Sequence, residues 1–283
     1  MALSSTGDFG RTLGQAAPSR GELAVSDVGH TVLEARNIHK SYADGPTRKV
    51  AVEDISFEVT SGEFVCIIGP SGGGKTTLLR CIAGLMPPTR GEAVFEGEVI
   101  TSVPSRVSVV FQDYSRSLFP WAKVKDNVEL PLKIKRVPKA ARVARVQEVL
   151  NAVGLAGSED RYPWQLSGGM QQRVAIARGL AHRPDLLLMD EPFASVDAQT
   201  RFELEDLILK IRDEFDVTVV LITHDIDEAV YLADRVIVLS AAPSEVKRIV
   251  EVPLSRPREQ ATTRSDPTFA ALRTELLGLV THG

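Results

Sequence analysis

The sequence predicts an α/β domain: a mostly parallel sheet flanked by helices, with a helical insertion. Three observations carry this reading. Short, uninterrupted apolar runs recur at Phe64–Ile68, Leu186–Met189, Val217–Ile222 and Val236–Leu239, as strands buried on both faces of a parallel sheet require. Segments of helical periodicity fill the gaps between them. From about Asp113 to Gln165 the helical pattern continues without a strong buried-strand run, which marks an insertion.

Taken in order, residues 1–30 are rich in Gly, Ser and Ala with little periodicity, and read as a poorly ordered extension. Ile55, Phe57 and Val59 then alternate with polar residues, the pattern of a strand with one wet face. Phe64 to Ile68 is the first doubly buried strand, followed by a glycine-rich turn and a helix carrying Leu78, Leu79, Ile82 and Ala83. In the insertion, Val143, Val146, Val149, Leu150 and Val153 make the apolar face of a helix. Pro138 stands at its start and Gly154 at its C′ position. Residues 256–268 are polar and bounded by prolines, and read as a second loose segment. Beyond them Phe269, Leu272, Leu276, Leu277 and Val280 approach helical spacing, so a short helix is expected to dock back. The organisation is therefore an extension (1–30), a main domain (31–255, its helical subdomain at about 113–166) and a tail with a short helix (256–283). No repeat at a period of about 20–50 residues is visible.

Composition excludes several classes. Among 283 residues, 43% are hydrophobic and 25% charged, which argues against a disordered chain, a collagen-like fibre or a disulfide-stapled miniprotein. A net charge of −4, from 33 basic and 37 acidic residues, gives no support to electrostatic capture of nucleic acid. No run of about 18 apolar residues occurs, so no bilayer-spanning helix is expected. The N-terminus lacks the basic start and apolar core of a signal peptide. Cys66 and Cys81 read as buried free thiols, with a reducing, cytoplasmic location as the default.

Chemistry concentrates after the first buried strand. Gly69-Pro70-Ser71-Gly72-Gly73-Gly74-Lys75-Thr76 satisfies G-x-x-x-x-G-K-[ST] between a strand and a helix, the context this motif needs. Glycines let backbone N–H groups turn inward toward phosphate oxygens, and the helix adds its positive dipole end. Lys75 sets a point charge at the β- and γ-phosphates, the Thr76 hydroxyl can ligate Mg²⁺, and Thr77 continues the cradle. Leu186–Met189 ends in Asp190-Glu191, where an α/β sheet binds ligands. Asp190 would hold Mg²⁺, and Glu191 would lie near an attacking water as general base. The guanine-selecting tetrapeptide Asn-Lys-x-Asp is absent, which argues against a GTPase.

Leu166-Ser167-Gly168-Gly169-Met170, followed by Gln171-Gln172-Arg173, resembles the signature of ATP-binding cassette proteins. Ser195-Val196-Asp197 and Thr223-His224-Asp225 complete the family's motifs in their order, and the resemblance covers roughly residues 32–250. It implies a P-loop NTPase core with an N-terminal antiparallel β subdomain and an inserted helical subdomain. ATP and Mg²⁺ are the implied cofactors. Tyr42 would stack on adenine, Gln112 would sense Mg²⁺ and water, and His224 would contact the γ-phosphate. Ser167 and Gly169, with Gly168 between them, would reach the γ-phosphate held by the other copy of a head-to-tail homodimer, and Asp197 would cross the interface. Glu191, His224 and Gln112 are thus the implied catalytic residues, and Thr76, Gln112 and Asp190 the metal ligands. Met170 departs from the commonest signature, which ends in glutamine; a thioether cannot make the amide's hydrogen bonds to ribose.

Finer features, Ser117-Leu118-Phe119-Pro120-Trp121, Glu191-Pro192-Phe193, Asp197-Ala198-Gln199-Thr200-Arg201 and Arg256-Pro257-Arg258, resemble ATPase subunits of nitrate, sulfonate and taurine importers. That resemblance implies a peripheral protein on the cytoplasmic face of the membrane, bound to separate permease subunits and served indirectly by an extracytoplasmic solute-binding protein. Pro120-Trp121 would offer the permease an exposed aromatic anchor. Relatives acting on ribosomes or DNA carry two cassettes or a long coiled coil, whereas this chain has one P-loop, one signature and no sustained heptads. A P-loop kinase would need neither signature nor switch histidine.

Overall fold

The computed structural model describes residues 29–44, 47–113 and 117–281. Apart from its last two residues, the expected N-terminal extension lies outside them. Two sheets form. Strands β1 (Thr31–Asp44), β2 (Thr47–Thr60), β4 (Arg90–Phe95) and β5 (Glu98–Val99) make an antiparallel sheet in the order β2-β1-β4-β5. The second sheet has six strands: β3 (Phe64–Ile68), β6 (Val107–Val110), β7 (Leu186–Asp190), β8 (Thr218–Ile222), β9 (Arg235–Leu239) and β10 (Val246–Glu251). Its order is β10-β9-β3-β8-β7-β6, parallel throughout except for the edge strand β10.

The apolar runs are buried on both faces, as their composition dictates, and alternate residues feed two cores. Phe64, Cys66 and Ile68 of β3, with Leu187, Met189, Val219 and Leu221, face the larger core. Val65, Ile67, Leu186, Leu188, Val220 and Ile222 face a second core shared with the antiparallel sheet and with helix α1 (Lys75–Ile82). Both cysteines are buried and free.

Helices α2 (Val124–Ile134) and α3 (Lys139–Ala152) fill the predicted insertion and pack on α4 (Gly168–Ala181). Pro138 precedes α3, and Gly154 follows it at φ +72°, a left-handed exit that favours glycine. One side of the predicted face is wrong. Val143 is 57% exposed, and Arg145 points inward instead. Its guanidinium donates to Ala181 O at 3.1 Å and Leu180 O at 2.7 Å, and lies over the Phe215 ring at 5.0 Å. The last carbonyls of α4 need donors, and a buried Arg supplies them.

The tail also corrects the sequence reading. Residues 256–268 are not loose but include helix α7 (Gln260–Arg264), and α8 (Pro267–Thr281) follows. Phe269, Leu272 and Leu276 are buried as expected, whereas Leu277 is exposed. Order in the polar stretch comes from charge rather than apolar burial. Arg264 pairs at 2.7 Å with the buried Glu205 and sits over the rings of Phe202, Tyr231 and Phe269 at 4.8, 5.0 and 5.7 Å. Gln260 donates to Glu205 and Asp206, at 2.9 Å each. Helices α5 (Ala198–Phe215) and α6 (Ile226–Leu232) carry those partners other than Phe269 on the same side of the sheet.

Candidate functional site

The glycine-rich turn runs from β3 into α1. Gly74, the residue before the helix, has φ +77°, and a Cβ there would stand 2.5 Å from Ala51 O, so no other residue fits. Lys75 is buried, and its ammonium donates to Gly69 O at 2.8 Å and Pro70 O at 3.0 Å, folding back over its own loop. Desolvation lowers its pKa, opposed by the charges of Glu191 and Asp190. Beside the loop opens a cleft of about 490 Å³, lined by Ser71–Thr77, Tyr42, Lys49 and Glu191. Gly69 and Pro70 contribute the carbonyls that hold Lys75 rather than the cleft wall.

The sheet places the acids beside the loop. β8 lies between β3 and β7, so Gly69, Asp190 and Thr223 leave the same edge of three adjacent strands. The Thr76 hydroxyl donates to Asp190 Oδ1 at 3.2 Å, and burial raises the Asp190 pKa. Glu191 adopts φ +43° and is held by its N–H bond to Ile222 O at 2.8 Å. Its Oε2 lies 3.0 Å from His224 Nδ1 and 3.4 Å from Gln112 Nε2. Tyr42 stands on β1, its hydroxyl 3.2 Å from Thr77 Oγ1.

Three residues of the cleft escape sequence reasoning, Ala43, Lys49 and Ala51, and of these only Lys49 is charged. Lys49 is a second cation there beside Lys75, brought opposite Tyr42 by the β1–β2 register. Its only signal in the sequence is its place in the hairpin.

The signature residues are not part of this cleft. Ser167 caps α4, its Oγ accepting from Met170 N at 3.3 Å, and neither it nor Gly168 nor Gly169 lines the cleft. Gly169 lies where a Cβ would meet Thr200 Cγ2 at 2.4 Å. Thr200 in turn bonds Asp197, the cap of α5, through its N–H at 3.0 Å and its hydroxyl at 2.7 Å. The Met170 side chain packs on the larger core.

Fold and cleft together define a nucleotide-binding α/β protein of the P-loop class. Residues 52–194 match the ABC transporter family. The chain is 45% identical to the nitrate import ATP-binding protein of Synechococcus elongatus, over 81% of this chain and 84% of that protein. It is 42% identical to an aliphatic sulfonates import ATP-binding protein of Burkholderia cenocepacia, over 89% and 88%. Among solved structures, a dimeric ATP-binding cassette in a post-hydrolysis state, bound to ADP and phosphate, is similar with a TM-score of 0.68 and 34% identity, over 78% of this chain and 98% of that one. The chain belongs to the ABC transporter family and is an ATP-binding ATPase of it.

Proposed function

We propose that this ATPase drives a membrane importer for a small oxyanion, nitrate- or sulfonate-like, with two copies closing head to tail over two ATP molecules. The observation that carries the chemistry is the convergence of the phosphate loop, Asp190 and the Glu191–His224 pair at one edge of β3, β7 and β8. Backbone N–H groups of the loop and the positive end of α1 bind the phosphates, and Lys75 leaves its carbonyl partners to meet their charge. Tyr42 offers its ring to the base.

Thr76, Asp190 and Gln112 form an all-oxygen donor set suited to Mg²⁺, and Thr76 and Asp190 already converge. When bound, the cation neutralises charge on the phosphate oxygens. Glu191 takes the proton of the attacking water, and His224 Nδ1 lies against its carboxylate, leaving the other ring nitrogen to face the γ-phosphate. General-base catalysis of this kind contributes about 10²–10⁴-fold.

A separation within one copy supports the dimer: the signature residues do not line the cleft, and Ser167 Oγ bonds Met170 of its own helix, which fits Ser167 and Gly169 acting on the nucleotide of a second copy. The ADP-bound dimer of the similar cassette supports this. The importer reading rests on the relatives' names. Among the described residues no helix is long and apolar enough to cross a membrane, which agrees with peripheral attachment to separate permease subunits at the cytoplasmic face. An extracytoplasmic solute-binding protein would deliver the solute to them.

Glu191→Gln keeps size and removes the base, so with Mg-ATP it accumulates a closed dimer in light scattering, and adding Ser167→Arg abolishes that species. A Glu191→Gln protein that stays monomeric at high concentration defeats the composite site.

A further inference from the structure

We propose that Trp164 is the second aromatic wall of the nucleotide site, stacking, in the closed dimer, on the base bound by the opposite copy. This rests on the head-to-tail reading above. Trp164 is 69% exposed, and its indole lies 5.9 Å from the Tyr162 ring at an interplanar angle of 13°. The two rings form a flat platform turned to solvent, beside the signature.

The platform is firmly held. Tyr162 N donates to Gln165 Oε1 at 2.8 Å across the short turn Pro163–Gln165. Leu166 is buried, and Gln171 Nε2 donates to Leu166 O at 3.2 Å. These contacts tie the platform to the first turn of α4, whose cap Ser167 comes three residues after Trp164. Three residues span at most about 10 Å, the same order as the reach from a γ-phosphate to its base. A helix end that meets the γ-phosphate of the opposite copy therefore carries Trp164 within range of that nucleotide's base.

The facing wall suits this arrangement. The Tyr42 hydroxyl is anchored by Thr77 and by Met86 Sδ at 3.3 Å, and the Lys40 ammonium covers the ring at 5.7 Å. A base stacked on Tyr42 turns its other face outward, toward the second copy. Met170 supplies a reason for an aromatic there. Its side chain packs on the core, so the amide contact to ribose has no counterpart, and stacking on the base supplies affinity instead. Every base has a π-face, so the contact strengthens closure without selecting the base.

The chain has two tryptophans, so Trp121→Phe leaves Trp164 as the only reporter. In a Glu191→Gln, Trp121→Phe protein, Mg-ATP should change Trp164 fluorescence and shield it from acrylamide as the dimer closes. Mg-tripolyphosphate, which has no base, should not. Trp164→Ala in the Glu191→Gln background should raise the protein concentration needed for half-dimerisation about 30- to 20,000-fold, because each dimer loses two base-stacking contacts and truncating one usually costs about 5- to 150-fold. Trp164→Phe should restore most of the loss. ATP affinity of the monomeric Ser167→Arg protein should be the same with Trp or Ala at this position. A dimer that closes with Trp164 unchanged and unshielded, or a Trp164→Ala variant that dimerises like its parent, overturns the proposal and leaves the composite site standing. A Glu191→Gln protein that never dimerises overturns both.

Discussion

His224 Nδ1 lies 3.0 Å from Glu191 Oε2, the same oxygen that Gln112 Nε2 approaches at 3.4 Å. The pair joins the ends of two neighbouring strands, β7 and β8, and the backbone fixes it. Glu191 sits at φ +43°, a region that non-glycine residues occupy at a cost, and the bond from its N–H to Ile222 O holds it there. Orientation of the candidate base is thus built into the sheet edge.

Removing the histidine should therefore separate binding from turnover. His224→Ala is expected to lower kcat by about 10²–10³-fold, the usual effect of deleting one preorganised donor, with ATP affinity nearly unchanged. Phosphate release and calorimetry on the same preparation check this; an unaltered kcat removes His224 from the chemistry.

The two cations of the cleft should differ in importance. Lys75 is buried in the loop, and charge-assisted hydrogen bonds contribute about 1.5–3 kcal/mol, so Lys75→Ala should weaken Mg-ATP binding about 10- to 150-fold. Lys49 is exposed on the hairpin, and an exposed charge pair is worth up to about 1 kcal/mol. Lys49→Ala should cost about fivefold or less, an effect that fades with added salt. Equal losses for the two variants would show that the loop does not set the affinity.

Trp121 is 76% exposed, its ring 5.3 Å from that of Phe119, at the mouth of the helical insertion. As a permease anchor, Trp121→Ala should leave the ATPase activity of the separate subunit within about twofold while weakening copurification with the membrane subunits, since a hot-spot aromatic costs about 2 kcal/mol or more. Undiminished copurification returns the residue to an ordinary surface role.

A pH dependence follows from Glu228. Burial pushes its carboxyl up to about 7, although the Thr223 hydroxyl donates to it at 2.6 Å. An unfolded Glu titrates near about 4.3. Between these values the folded state binds more protons, so this group's contribution to stability falls as pH rises through the window and is level above it. Glu228→Gln has no such titration, and its melting temperature should gain on that of the parent as pH goes from 5 to 8. Parallel melting curves across that range would contradict the assignment.

The legible part of this molecule was written locally. Five consecutive apolar residues at Phe64–Ile68 need both faces covered whatever the rest of the chain does, and the following Gly-Lys-Thr needs only its own turn and helix. Asp190-Glu191 and Thr223-His224-Asp225 are read as strand ends for the same reason. What escaped depends on distant partners. Arg145 lies on an apolar face, and only the end of α4 explains a cation there. Arg264 and Gln260 sit in a stretch as polar as a loop, and Glu205 on α5 is what orders them. Lys49 enters the cleft through a hairpin register that its neighbours do not announce.

The strand order also sets a timetable for synthesis. β3 pairs on both sides with strands made much later, β8 and β9, so the phosphate loop leaves the ribosome with no ladder to join. The antiparallel sheet is finished by Val99, and Val65 and Ile67 share its core, so one face of β3 gains early shelter. The other face, Phe64, Cys66 and Ile68, waits for helices and strands from the far half of the chain. Such long-range pairing is slow and leaves sticky surface uncovered. A nascent chain stalled before Thr218 would hold a complete phosphate-loop sequence and no neighbouring strand on which to set it.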